Sequence, residues 1–145
     1  MIARPRATHV VVDTDVTSWL LYPGSLPHAD EARRVIGRRS RVLSFVTVTE
    51  LRYGALRAGW GELRLRRLER SLADFEIIQT SEPLLTRCAE LRSRASSDGH
   101  GLAQKIHEAD RWVATTALVL GLELVAGDGI YEGVGGLDVH RIRPS

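Results

Sequence analysis

Apolar and polar positions along the chain follow two periods, and the switches between them mark out the elements. Val10-Val11-Val12 is a β-branched run of the kind an internal strand shows, and it leads straight into Asp13-Thr14-Asp15. Residues 16–22 then take helical spacing, with Val16, Trp19 and Leu20 on one face and Pro23-Gly24 as the stop. A second helix is expected over about 28–39, burying Ala32, Val35 and Ile36 and turning Arg33, Arg34, Arg38 and Arg39 outward. Residues 42–46 read as a short internal strand. The helix after it carries Leu51, Tyr53, Ala55 and Leu56, and Trp60-Gly61 makes a turn.

Residues 62–73 form an amphipathic pattern, with Leu65, Leu68 and Leu72 on one side and Arg64, Arg66, Arg67 and Arg70 mostly on the other. A third strand at 75–78 precedes a long helix that opens at Ser81 and Pro83 and stops at Asp98-Gly99. Within it, Cys88 shares a face with Leu84, Leu91 and Ala95, the pattern of a core residue. Residues 99–106 have the least regular pattern. A helix from Glu108 to a Gly121 terminator, a strand at 122–125 and a last strand within 137–142 complete the chain.

Strands alternating with helices predict an α/β fold, a three-layer α/β/α sandwich around a central, mostly parallel sheet. The 145 residues suffice for one domain with a real core. The apolar stretch 112–126 is interrupted by Gly121 and Glu123, too mixed to cross a bilayer, so no membrane association is expected. The basic start, Met1 to Arg6, meets Asp13 and Asp15 before any signal-peptide core could form, and a lone cysteine permits no internal disulfide. Both point to the cytoplasm.

A net charge of +2 conceals an uneven distribution. Residues 31–70 hold eleven arginines against four glutamates, whereas the segments before and after are net acidic. A middle third this basic suits phosphate or an acidic partner, and equally a pair of solvated helix faces.

Four acids stand where this fold binds ligands. Asp13 and Asp128 each follow a strand's carboxyl end, Glu50 lies in the helix after another strand, and Asp110 opens the helix that leads into the fourth. Each has a structural reading: Asp15 caps a helix beginning near Val16, Thr47 and Glu50 have capping-box spacing, Asp110 meets a helix dipole, and Asp128-Gly129 makes a tight turn. Placed together at one rim without a protein cation they would repel strongly, and a divalent cation resolves that. Oxygen-only donors favour Mg2+ or Mn2+ over zinc. Thr14, Thr47 and Thr115 are read either as ligand-orienting hydroxyls or as caps and back-bonded helix hydroxyls.

The segments Val11-Val12-Asp13-Thr14-Asp15-Val16, Thr49-Glu50-Leu51-Arg52-Tyr53-Gly54-Ala55, Asp110-Arg111-Trp112-Val113-Ala114-Thr115-Thr116-Ala117 and Leu124-Val125-Ala126-Gly127-Asp128 resemble the four motifs of PIN-domain ribonucleases, most closely the VapC-type toxins of toxin–antitoxin pairs. The resemblance implies a PIN-like fold and a metal-dependent endoribonuclease with Asp13, Glu50, Asp110 and Asp128 as catalytic metal ligands. It also implies a homodimer and inhibition by a cognate VapB-type antitoxin. One departure stands out: family members often carry an acid two residues after the position of Asp128, and this chain has Ile130 there, before Tyr131.

Two surfaces follow as expectations. Arg33, Arg34, Arg38 and Arg39 would track RNA, and the Leu65, Leu68 and Leu72 stripe with Arg64 and Arg67 would receive an acidic antitoxin segment, unless that stripe is plain core. Two rival functions remain. Asp13-Thr14-Asp15 also fits an aspartate-nucleophile phosphatase of the haloacid-dehalogenase kind, with Lys105 steadying the intermediate, a scheme that leaves Glu50 and Asp110 idle. The other is a non-catalytic module that binds RNA or a partner through the arginine-rich middle.

Overall fold

The computed structural model describes residues 8–22, 24 and 26–143; the basic start at 1–6 and the Pro23 stop lie outside the described residues. In chain order the elements are β1 (His9–Val12), α1 (Thr14–Leu21), α2 (Leu26–Ile36), β2 (Ser40–Ser44), α3 (Phe45–Arg57), α4 (Glu62–Leu72), β3 (Glu76–Ile78), α5 (Glu82–Asp98), α6 (Glu108–Leu120), β4 (Leu124–Ala126) and β5 (Val139–Arg141).

The strands form one sheet in the order β3-β2-β1-β4-β5, every pair parallel. β1 is central because its three valines are apolar on both faces. Val10 and Val12 point into a core shared with Leu43, Val125 and the inner faces of α1 to α4, whereas Val11 packs with Val42, Leu124 and residues of α5 and α6. Helices on both faces make the expected three layers. The chain builds β1, β2 and β3 in one direction and then returns to place β4 and β5 on the other side of β1. Strand order therefore reverses between β1 and β4, and a crevice opens outside their carboxyl ends.

Local boundaries depart from the sequence reading in instructive places. Helix α1 begins at Thr14, and its cap is Asp13 rather than Asp15: Asp13 Oδ1 accepts from Val16 N at 2.8 Å. Helix α3 begins at Phe45, so Phe45 and Val46 are helical and not the end of a strand. Ser44 is its cap, accepting from Val46 N at 3.3 Å, and Thr47 is fully buried one turn inside, so Thr47 and Glu50 form no capping box. An apolar run gives no period by which to separate strand from helix, and the short polar Ser44 decides it.

The Leu65, Leu68 and Leu72 stripe faces inward. Leu68 and Leu72 are 4% and 2% exposed, and Leu65 packs partly buried on the same core. The unpatterned 99–106 segment contains two 3-10 turns, Gly101–Ala103 and Lys105–His107. Buried Arg111 holds them, its Nη1 donating to Leu102 O at 2.6 Å and Gln104 O at 3.4 Å. Cys88 is buried with Leu84, Leu91 and Ala95, as its spacing predicts. Among the described residues no helix is long and apolar enough to cross a membrane.

Candidate functional site

Asp13 occupies the reversal point itself. The chain leaves β1 there, and the side chain, 2% exposed, accepts from Val16 N through Oδ1 and from Gly127 N through Oδ2, the latter at 3.0 Å. One carboxylate thus joins the N-terminus of α1 to the end of β4. Burial pushes its pKa from 3.8 up to about 7; the two amide bonds pull it down, and the charge of Asp15 adds to the rise.

The other acids are placed around it by separate devices. Thr14, next to Asp13, donates to Glu50 Oε2 at 2.7 Å and lies 3.1 Å from Thr47 Oγ1. That contact brings α3 against the start of α1. Asp110, in the first turn of α6, is held at both oxygens: Tyr131 Oη donates to Oδ1 at 3.2 Å, and His107 Nδ1 lies 2.9 Å from Oδ2. Phe45 and Trp112 meet edge to face at 5.2 Å, packing the start of α3 on α6. Asp128 caps the 3-10 turn Gly129–Tyr131, its Oδ1 accepting from Ile130 N at 2.9 Å.

Asp15 and Tyr131 feel the charges of the acids around them. Partial burial raises the pKa of Asp15, and so do the charges of Asp128 and Asp110. Tyr131, a buried side chain, has its phenol raised far above the ordinary range, first by burial and then by Asp13, Asp110 and Asp128. It therefore remains a donor. Asp15 is the acid that the sequence reading left out of the metal-ligand set, taking it as a helix cap or as part of the phosphatase alternative. Its spacing of two from Asp13, in the first turn of a helix leaving the strand end, was the signal for a place on the same rim.

Thr115 takes its bland reading, donating to Arg111 O at 2.7 Å within α6. Among the described residues no three His, Cys, Asp or Glu side chains close around one point as a ready-made metal site. Asp13 is committed to two backbone amides, Asp110 to Tyr131 and His107, and Glu50 to Thr14. The donor set still fits a hard divalent cation: it is oxygen-only and acidic, and among the described residues Asp13, Asp15, Glu50 and Asp128 have no arginine or lysine in ion-pair contact.

A groove leads away from Glu50. Thr14, Ser18, Gly54 and Trp60 line its first part, of about 250 Å³, and Leu21, Arg64, Arg67 and Leu68 line a cleft of about 450 Å³ beyond it. Tyr22 and Trp60 belong to both, their rings edge-on at 5.6 Å, and the Arg64 guanidinium lies over Trp60 at 4.9 Å. Arg64 and Arg67 are thus where a partner segment could reach them, although the leucines behind them are core.

The other arginine group lies elsewhere. Ser40 pairs with His9, so Arg38 and Arg39 precede β2 at the amino end of the sheet, opposite the acids, as do Arg33 and Arg34 in the last turn of α2. Arg33 pairs with Asp30 and Arg34 with Glu31, and Arg39 donates to Val35 O, Ile36 O and Glu123. The structure does not bring this group to the carboxylate rim.

The family model described as PIN domain matches residues 10–137. No curated protein matches the chain. Among solved structures, the chain is similar to DNA-bound VapBC from Salmonella typhimurium, with a TM-score of 0.76 at 19% identity, covering 92% of this chain and 98% of that one. FitAcB from Neisseria gonorrhoeae gives a TM-score of 0.76 at 27% identity over 91% of this chain and 96% of that one. VapBC-5 from Mycobacterium tuberculosis, a member of the VapBC family of toxin–antitoxin systems, gives 0.67 at 24% identity over 93% and 99%.

Proposed function

Because the chain belongs to the PIN domain family, we propose that it is a Mg2+- or Mn2+-dependent endoribonuclease of the VapC type, the toxin of a toxin–antitoxin pair, built as one domain. The observation that carries this reading is the buried Asp13 carboxylate at the strand-order reversal, with Asp110 and Asp128 near enough for their charges to act on Asp15 and Glu50 tied in through Thr14. A sheet end of this kind would repel a phosphodiester unless its charge were offset.

Asp13, Asp110 and Asp128, with Glu50, would hold the cation. When bound, a divalent cation lowers the pKa of water to give a nucleophile at neutral pH and offsets charge on the attacked phosphate. The chain's own residues fix the donors beforehand. Two backbone amides set the plane of the Asp13 carboxylate, Tyr131 and His107 set that of Asp110, and Thr14 holds one oxygen of Glu50. Preorganised donors need little rearrangement as charge develops.

Similarity to a member of the VapBC family of toxin–antitoxin systems supports an antitoxin partner, and the homodimer that the motif resemblance implies belongs to the same reading. The cleft between Trp60, Arg64 and Arg67 is the surface we assign to a VapB-type antitoxin segment, its arginines matching an acidic peptide. The phosphatase alternative lacks support: Lys105 is exposed and, among the described residues, pairs with no acid.

The decisive experiment is cleavage of single-stranded RNA by the purified chain with Mg2+ or Mn2+, with EDTA, and with Asp13→Asn. Cleavage that needs the cation and Asp13 is the expected result. Cation-independent cleavage, or full activity of a folded Asp13→Asn protein, would overturn the reading, and rapid turnover of p-nitrophenyl phosphate instead of RNA would favour the phosphatase.

A further inference from the structure

Ile130 follows the Asp128–Gly129 pair, and its placement shows how this chain holds the turn. Ile130 packs on the core beneath α5 and α6, with Cδ1 so near Gly101 that a Cβ there would meet it at 2.8 Å. The following Tyr131 reaches Asp110. The segment after β4 is therefore seated on its inner side by one apolar and one hydrogen-bonded contact.

Its outer side is held by a cation from the last strand. Arg141 ends β5, in register with Ala126 at the end of β4, and Ile142 N donates to Ala126 O at 2.7 Å. From there the guanidinium lies against the backbone of Gly129. A Cβ at that glycine would be 2.9 Å from Nη1, 3.0 Å from Cζ and 3.3 Å from Nη2. Gly129 has no positive φ, so nothing in its backbone geometry demands glycine; the guanidinium occupies the space that a Cβ would take. Nη1 also reaches Glu132 Oε1 at 3.4 Å, with Arg143 on the same oxygen at 3.0 Å. Arg141 Nε is buried without a hydrogen-bond partner. Burying a guanidinium donor unsatisfied is costly, and the contact with the turn is what sets against it.

We propose that Arg141 is a positioning residue: its guanidinium, laid flat on Gly129, fixes the Asp128–Tyr131 turn and thereby sets where the Asp128 carboxylate stands beside Asp13 and Asp110. The metal-binding consequence rests on the nuclease reading above; the effect on the turn does not. A planar group is required, because the ammonium of lysine cannot cover the Gly129 backbone while reaching Glu132.

The test compares Arg141→Ala, Arg141→Lys, Gly129→Ala and the double variant Gly129→Ala/Arg141→Ala in the full chain. Amide hydrogen exchange reads the turn without any cation. Ile130 N–H, bonded to Asp128, should exchange about tenfold faster in each single variant, while the amides of Val10, Val11 and Val12 keep their protection. Gly129→Ala meets only the end of a flexible side chain, so it breaks the contact mildly should Arg141→Ala fail to fold. The double variant should be no worse than either single one, because the contact is lost only once.

Mn2+ affinity, read from free-ion electron paramagnetic resonance, should fall about fivefold, and kcat for RNA cleavage should drop with KM little changed. Arg141→Lys should resemble Arg141→Ala. Unchanged Ile130 exchange in Arg141→Ala and Gly129→Ala, or losses that multiply in the double variant, overturn the proposal. Faster Ile130 exchange in a protein whose wild type shows no Asp13-dependent Mn2+ binding supports the positioning role and overturns the nuclease reading alone.

Discussion

The amide of Gly127 donates to Asp13 Oδ2 at 3.0 Å across 114 residues of sequence, so a single carboxylate ties together the ends of the first and fourth strands. Its charge state and its contacts are inseparable, which makes Asp13→Asn informative in metal-free buffer as well as in the assay. The folded pKa, pushed up to about 7, exceeds the ordinary 3.8. The stability linked to this group is therefore complete below 3.8 and lost as pH rises through about 7. Asparagine cannot ionise, and its amide meets Gly127 N–H donor to donor at a roughly pH-independent cost of about 1–3 kcal/mol. The Tm of the variant minus that of the wild type should hence grow more positive between about pH 4 and pH 8. A flat difference would mean that Asp13 is not strained by ionisation.

Glu50→Gln separates ligand from cap. Ser44, not Thr47, caps α3, so the substitution removes charge from the rim without touching a helix end. Cleavage should vanish while Tm stays within a degree or two, as expected of an exposed site. Ser44→Ala should do the converse, costing about 1 kcal/mol with activity per folded molecule retained. An active Glu50→Gln enzyme would remove this residue from the site.

Gly127→Ala should damage both stability and activity. The new Cβ would lie 2.6 Å from Trp19 Cη2 and 3.0 Å from Asp15 Cβ, forcing the donor to Asp13 away. Overpacking of this kind costs about 1–3 kcal/mol. A variant as stable and active as the wild type, measured by thermal melting and RNA cleavage, would mean that the crevice is looser than its contacts show.

The two arginine groups should part company under mutation. Replacing Arg64 and Arg67 with alanine should weaken antitoxin binding by calorimetry and leave cleavage intact, because they line the cleft beyond Glu50. Replacing Arg33, Arg34 and Arg38 should leave cleavage, and its dependence on salt, nearly unchanged, because they sit at the amino end of the sheet. A flattened salt dependence in the second variant would return RNA to that end.

Leu68→Ala and Leu72→Ala should each cost about 2–5 kcal/mol, since both are core residues. Leu63→Ala, at a side chain 51% exposed, should cost less than about 0.5 kcal/mol. Denaturant melts decide; equal, small effects at all three would make the stripe a surface after all.

Elements with a clear local signature were legible in the sequence: the β-branched valine run of β1, the α5 face around Cys88, and α6 with its Gly121 stop, which takes φ +65. The rule placing ligands at strand carboxyl ends needs only the order of elements, and it was enough to single out Asp13, Glu50, Asp110 and Asp128 as candidates. What stayed hidden depends on tertiary partners. Phe45 and Val46 became helical through Ser44, and Asp13 took the cap that Asp15 offered because Val16 N could reach it. Likewise, no local pattern shows that Leu68 and Leu72 face the sheet, or that Arg141 rests on Gly129.

The late arrival of β4 beside β1 has a consequence for synthesis. During translation Val10 to Val12 can pair with β2 early, but the other edge of that central strand stays open until residue 124 and beyond have left the ribosome. A chain halted by a premature stop before Gly127 lacks the second amide that holds Asp13, and it displays an apolar strand edge inviting aggregation. Nascent or broken copies would thus lack the assembled carboxylate rim and be conspicuous to proteases, so the rim takes shape only once nearly the whole polypeptide exists.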